Sequence, residues 1–254
     1  MKTLWFVVPV HGRLELAKIC LRQLKRTCDA LAEGDVKATA VVISDRLSLK
    51  VLKVDKLGFA SIRRDNAYTS RRFNDGIQLA TDPKYNKVPA DYVVPFGSDD
   101  WADHRLFLEP LPAADTIFGF KHMSCVREDG AEIAEVFLDY EGGCGIRIIP
   151  RELVVPLDYR PADEDRERGC DTSILRNLRH HHGDRLKVRD GWQLHGRQIV
   201  DWKTQGRNLN GYQGLIMTYP TTLASDPFGE LQEFYPAEAL DEMRSHYARQ
   251  KVRV

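Results

Sequence analysis

The pair Asp99-Asp100 follows an apolar run at residues 91–96, across the short break Gly97-Ser98. Two carboxylates at the end of an apolar strand suit a divalent cation, and such a cation can neutralise a diphosphate leaving group. A solvated turn also uses Asp-Asp, so the dipeptide takes its meaning from its surroundings. Farther on, Asp201-Trp202-Lys203, with Asn208 behind it, offers a point charge for phosphate at Lys203. His180-His181-His182 does not read as a metal site, because consecutive helical residues point in different directions. Gly183 marks a helix stop there, where positive charge is favoured. The nearby Arg176, Arg179, Arg185, Lys187 and Arg189 form either a phosphate-meeting patch or a solvated surface.

These residues need a scaffold, and the composition supplies one. A chain of 254 residues with 43% hydrophobic content can bury a sizeable core. Lys+Arg and Asp+Glu are both 37, which excludes a disordered polyelectrolyte and disfavours histone-like nucleic-acid binding. The five cysteines, Cys20, Cys28, Cys125, Cys144 and Cys170, are odd in number and scattered, and read as free buried thiols. No apolar run has membrane-spanning length, so no membrane insertion is expected. Residues 3–10 superficially resemble a signal peptide, but Pro9 interrupts the stretch and no small-x-small site follows. The expected location is therefore the cytoplasm, that of a host if the chain is phage-encoded.

The apolar pattern predicts a buried strand at 3–10, then a helix carrying Leu14, Ala17, Leu21, Leu24, Cys28 and Leu31, stopped by Gly34. Further strands are predicted at 38–44, 51–54 and 91–96, with a helix around Phe73, Ile77 and Ala80. Strands alternating with amphipathic helices indicate a mostly parallel sheet covered on both faces, with ligands beyond the carboxyl ends of its strands. The later half reads as mixed α+β. Strand-like pieces lie at 116–122, 133–138, 145–149, 186–188 and 198–202, and helices begin near Asp171 and Pro236. No linker divides the chain, so a single domain over 1–254 is expected, with a nucleotide-type half at 1–105 and a second half at 106–254.

The order of these segments resembles the family-2 glycosyltransferases of the GT-A fold, in a short, soluble, phage or bacterial form. Val7-Val8-Pro9-Val10-His11-Gly12-Arg13 resembles that family's opening strand and nucleotide loop. Val41-Val42-Ile43-Ser44-Asp45 resembles its second strand, and Asn74-Asp75-Gly76-Ile77 with Ala80 resembles the helix before the metal motif. Tyr92-Val93-Val94-Pro95-Phe96-Gly97-Ser98-Asp99-Asp100-Trp101 resembles the metal-bearing strand. The match covers roughly the first 105 residues in order, and the order gives it specificity. Gly97 departs from the pattern, since the family usually carries an aspartate there that helps hold the ribose or nucleotide.

The resemblance implies a GT-A-like, Rossmann-like fold and a hexosyl- or related transferase using a nucleotide-diphospho sugar and Mn²⁺ or Mg²⁺. It implies donor contacts at Pro9, His11, Arg13, Asp45, Asn74, Ser98 and Lys203, and a metal site at Asp99, Asp100 and His195. The segment Glu141-Gly142-Gly143-Cys144-Gly145-Ile146-Arg147 resembles the family's acceptor-lining segment, so Gly142, Gly143 and Trp101 are expected on the acceptor side. Arg168-Gly169-Cys170-Asp171 resembles the place of the family's catalytic aspartate. Asp171 is thus either the base that takes the acceptor's proton or a helix N-cap, with Asp165 the alternative base. Inversion at the anomeric carbon follows from the same resemblance. A glycan acceptor is favoured over a hydroxymethylated DNA base, and a non-catalytic nucleotide- or glycan-binding relative is the reading from another class. The oligomeric state is left open.

Overall fold

The computed structural model describes residues 1–65, 67–108, 110–139, 141–167, 169–203 and 212–251. Asn208 and Arg168, both named above, lie outside the described residues. The first half winds β1 (Lys2–Pro9), α1 (Leu14–Ala32), β2 (Val36–Ser44), α2 (Arg46–Leu52), β3 (Ala60–Arg63), α3 (Thr69–Thr81), β4 (Tyr92–Pro95) and β5 (Asp100–Ala102). Then come β6 (Thr116–Gly119), β7 (His122–Val126), β8 (Ile133–Phe137), β9 (Arg147–Pro150), α4 (Arg151–Val154) and α5 (Cys170–His182). The chain closes with β10 (Lys187–Asp190), β11 (Ile199–Trp202), α6 (Tyr212–Thr218), β12 (Thr221–Ala224), α7 (Pro227–Glu230) and α8 (Ala237–Lys251).

Two sheets result. The larger has the order β10-β6-β9-β4-β1-β2-β3, parallel throughout except for β9, which runs antiparallel to both β4 and β6. The smaller has the order β12-β8-β7-β11-β5. Alternation along β1 explains the layering: Leu4, Phe6 and Val8 pack on the α1 side, while Val7 packs with Phe73 and Ile77 of α3. Helix α1 buries two stripes. Its Ala17, Leu21, Leu24 and Leu31 meet the large sheet, and its Leu16, Ile19 and Cys20 join Trp101, Trp202 and Met243. Gly76 lets α3 lie close on the sheet, because a Cβ there would stand 2.4 Å from Val7 Cγ1 and 2.7 Å from Ile43 Cδ1.

The opening segment is a central strand between β2 and β4. The strand predicted at 51–54 is not formed. Asp45 accepts from the Leu47 and Ser48 amides and starts α2, which takes in Val51 and Leu52, and the third strand comes later as β3. The run at 116–122 splits between β6 and β7, which belong to different sheets. All five cysteines are buried and free. Among the described residues no helix is long and apolar enough to cross a membrane.

Candidate active site

The carboxyl ends of β1 and β4 lie side by side, with Val7 paired to Pro95, so the loops that follow them meet. Val10 anchors the first loop: its amide donates to Ile43, and its carbonyl accepts from Ser44 Oγ and from Arg72 Nη1, each at 2.8 Å. Pro9, His11, Gly12 and Arg13 then line one wall of a cavity, with Gly97, Ser98 and Asp99 opposite. Thr69, Phe73 and Glu167 close its far end. A second cavity continues from Arg13 and Asp99 past Asp100, Asp201 and Lys203 to Gly145 and Asp171. Arg13 and Asp99 belong to both and mark the junction.

Two ion pairs and one crowded carboxylate meet at the junction. Arg13 Nη1 donates to Asp99 Oδ2 at 2.6 Å, both side chains being about four-fifths buried. Burial alone would lower the Arg13 guanidinium, but the charge and hydrogen bond of Asp99, with Asp201 behind, outweigh it and raise it. Asp100 pairs with Asp201 across β5 and β11, and the Trp202 amide donates to the Asp99 carbonyl. Burial pushes Asp100 well above the usual carboxylate range, and Asp201 and Asp99 push it further. Lys203 is ion-paired to Asp201. Burial works against its ammonium form, yet the Asp201 charge wins and holds Lys203 above its ordinary value.

The departure at Gly97 has a local cause. The Asp100 carboxylate curls back to accept from the Gly97 amide at 3.0 Å, and a Cβ on residue 97 would lie 2.4 Å from Asp100 Oδ2. Any side chain at 97 displaces that carboxylate.

Asp171 stands in the first turn of α5. The N-cap is Gly169, left-handed at φ 62°, so Asp171 does not cap the helix and its carboxylate lines the cleft. Arg147, only 2% exposed, fixes this corner. Its Nη1 donates to the Asp171 carbonyl at 3.0 Å, while Nε and Nη2 donate to the Gly142 and Gly143 carbonyls. Sequence reasoning missed this role. A lone arginine heading an otherwise apolar strand was the available signal. Opposite Asp171 the wall is apolar: Met123, Leu138, Ile146, Ile199 and Leu215, with Tyr219 at the rim. Cys144 lines it too, but burial pushes the thiol up to about 12, which leaves it inert as a nucleophile.

Several expected site residues serve the fold instead. Asn74 is fully buried, donating to the Ala162 carbonyl and Glu164 and accepting from the Ala162 amide, so it ties α3 to the loop before α5. Asp45 spends its carboxylate on the α2 cap, and its hydrogen bonds to Ser48 lower its pKa; it lines neither cavity. Trp101 is 1% exposed against Trp202 and Tyr235, because β5 alternation turns Asp100 to the cleft and Trp101 away from it. Gly142 and Gly143 are glycines for close packing: a Cβ on Gly143 would fall 2.0 Å from the Phe120 carbonyl oxygen. Gly145 is the glycine of that segment that lines the cleft, between Cys144 and Ile146. His195 caps the turn at Gly196–Gln198, accepting from the Arg197 amide beside Glu135, and is not among the cleft residues. Asp165 is exposed and paired with Arg71.

Three of the five cations in the basic cluster are ion-paired: Arg176 with Asp163, Arg179 with Glu141, and Lys187 with Asp115. His182 Nε2 lies 2.8 Å from the Leu153 carbonyl, consistent with a structural histidine run.

The donor set at the junction fits a hard divalent cation. Asp99 and Asp100 offer carboxylate oxygens, burial and then the neighbouring carboxylates raise Asp100, and Asp201 Oδ1 is buried without a hydrogen-bond partner. Among the described residues no group of three His, Cys, Asp or Glu side chains converges as a ligand set. The protein therefore supplies part of a coordination sphere that phosphate oxygens and water would complete, as is usual for Mg²⁺-type sites.

No family model matches the chain, and no curated protein matches it in sequence. Solved structures do. The catalytic domain of Drosophila β1,4-galactosyltransferase 7, in complex with xylobiose, is similar at 13% identity and TM-score 0.50. That match covers 76% of this chain and 66% of the other. The glucosyl-3-phosphoglycerate synthase of Mycobacterium tuberculosis, in complex with UDP, is similar at 14% identity and TM-score 0.50, covering 82% of this chain and 74% of that one. The chain has the GT-A fold of the glycosyltransferases, a mostly parallel Rossmann-like sheet with helices on both faces.

Proposed function

We propose that this protein transfers a sugar from a nucleotide-diphospho sugar to an acceptor hydroxyl. The observation that carries the reading is convergence. The loop after β1, the carboxylates after β4 and Asp171 on α5 come from distant parts of the chain and line one continuous cleft. The cavity at Pro9, His11, Ser98 and Phe73 takes the nucleotide, and the diphosphate lies at the junction by Arg13, Asp99 and Lys203.

Asp99 and Asp100 would hold Mn²⁺ or Mg²⁺, which supplies positive charge to the departing diphosphate. Asp171 accepts the acceptor's hydroxyl proton as the oxygen bonds to the anomeric carbon. The bond from that carbon to the phosphate oxygen breaks, and its electron pair leaves with the diphosphate, inverting the centre. Arg147 keeps the first turn of α5 in place through the Asp171 carbonyl. The apolar side chains in the cavity, and the pairing of Arg176, Arg179 and Lys187 with acids, support a neutral glycan acceptor over a DNA backbone.

The test is a panel of nucleotide sugars scored for donor hydrolysis with and without Mn²⁺ or Mg²⁺, then for transfer to glycans and to hydroxymethylated DNA. Metal-dependent hydrolysis of one donor supports the reading. No turnover of any donor, with nucleotide still bound, would return the chain to the non-catalytic class.

A further inference from the structure

We propose that Arg13 is an exchangeable counter-ion. It holds Asp99 while the cleft is free of donor, and it passes to the diphosphate when donor and divalent cation arrive, so that metal binds with the donor rather than ahead of it. The inference rests on the reading of the junction as a metal–diphosphate site.

Three observations carry it. First, Arg13 Nη1 sits 2.6 Å from Asp99 Oδ2, an oxygen that a cation at this carboxylate would also seek. A guanidinium and a divalent cation cannot both lie against that one oxygen without strong mutual repulsion. Second, Arg13 lines both cavities, so the same guanidinium already stands where a diphosphate must pass from the nucleotide pocket to the transfer site. The planar fork matches two phosphate oxygens as well as it matches a carboxylate. Third, the residue is held in a left-handed conformation, φ 46° and ψ 40°, at the start of α1. An arginine there carries more backbone strain than asparagine or glycine would, and of the described left-handed non-glycine residues, Arg13, Lys53, Asp158 and Tyr159, it is the one that lines the cleft.

Lys203 is the internal contrast. Its ammonium is 6% exposed and locked to Asp201, a partner on its own strand segment. It is a fixed charge, whereas Arg13 bridges two loops and has a second anion to turn to.

The test compares the wild type with Arg13→Asn and Arg13→Lys by Mn²⁺ titration, read by electron paramagnetic resonance and calorimetry, first without nucleotide and then with UDP. Asparagine suits both the left-handed conformation and the N-cap, so the fold should hold, and a thermal melt checks that it does. Without nucleotide, Arg13→Asn should bind Mn²⁺ about tenfold more tightly than the wild type. In the wild type UDP should tighten Mn²⁺ binding, and by linkage that coupling should shrink by about the same factor in Arg13→Asn. Arg13→Lys, which keeps the charge but loses the fork, should fall between them. If Arg13→Asn proves unstable, Arg13→Lys alone must still show tighter metal binding than the wild type. Equal nucleotide-free affinities, or no Mn²⁺ binding by a folded Arg13→Asn, overturn the proposal. Coupling as expected in a protein that turns over no nucleotide sugar would sink the proposed function and leave the exchange standing.

Discussion

The two walls of the cleft are built on opposite plans. On the proposed donor side two cations are each held against a carboxylate, Arg13 by Asp99 and Lys203 by Asp201, with the Asp100 carboxylate buried beside them. On the proposed acceptor side Asp171, with Arg147 Nη1 3.6 Å from its Oδ2, shares the cavity with Met123, Leu138, Ile199 and Leu215. A wall of paired charges can receive an ionic ligand by exchanging partners, with no bare charge left in a half-buried place. A wall of apolar side chains gives a neutral ring a surface to lie on and leaves direction to a single polar group. Under the proposed function this contrast would set each substrate on its own side by charge.

The comparison can be broken most severely at the donor wall. Asp99→Asn removes the carboxylate shared by Arg13 and the cation, and metal-dependent turnover should be abolished in a steady-state assay with the fold intact by circular dichroism. Retained turnover with unchanged metal dependence would refute the donor wall as drawn. Asp171→Asn should lower the rate by about 10²–10⁴ while UDP binding, followed by calorimetry, stays as it was. Stability should fall only slightly, through loss of the ion pair with Arg147 and of the negative charge in the first turn of α5, and a normal rate would show that the carboxylate is dispensable.

A smaller change sharpens the apolar side. Leu215→Ala should raise the acceptor KM about tenfold and leave the donor KM alone, a split that initial-rate kinetics resolves. Equal effects on both would mean the walls are not separate. The smallest effect lies outside the cleft. Asp163 is held down to about 2, chiefly by its hydrogen bond from Arg176, then by Asn177 and Arg166. Its folded value is below the unfolded one, so its contribution is present above the ordinary carboxylate range and lost as pH falls through about 4 toward about 2. Asp163→Asn should lower Tm by about 2 °C at neutral pH, with the difference closing in acid. A difference that persists at low pH would mean the charge is not what matters.

How far the sequence could be read depended on whether the deciding contact was local. Strands β1, β2 and β4 were legible because both their faces are buried, and a continuous apolar run has one economical reading. That the carboxylate pair would open on a cleft was legible because an α/β sheet gathers its ligands beyond the carboxyl ends of its strands, and Asp171 lines the same cleft. The 51–54 segment misled because Asp45 capping α2 outweighed the β-propensity of two valines. Trp101 misled because β5 has three residues and takes its pleat from β11, which lies far along the chain. His195 sits in a suitable composition and at a suitable distance along the chain, but its direction is set by Arg197 and Glu135, which no spacing encodes. The pairing of Arg13 with Asp99 is of the same kind, a contact between two loops that only the assembled sheet brings together.

Strand β9 has a consequence for how the protein comes into being. All four residues of β4 are buried, and β4 acquires its second neighbour only when β9 returns from the later half of the chain and inserts between β4 and β6. During synthesis the growing chain therefore carries an apolar strand with one bare hydrogen-bonding edge while β5 to β8 are still being made. Closure of that edge is a long-range event, slow by the measure of sequence separation and exposed to mispairing until it happens. Arg147, which begins β9, is also the residue that clamps the first turn of α5. Insertion of β9 thus also sets in place the arginine on which the first turn of α5, made later, docks, so the sheet is prepared for that corner before the corner exists.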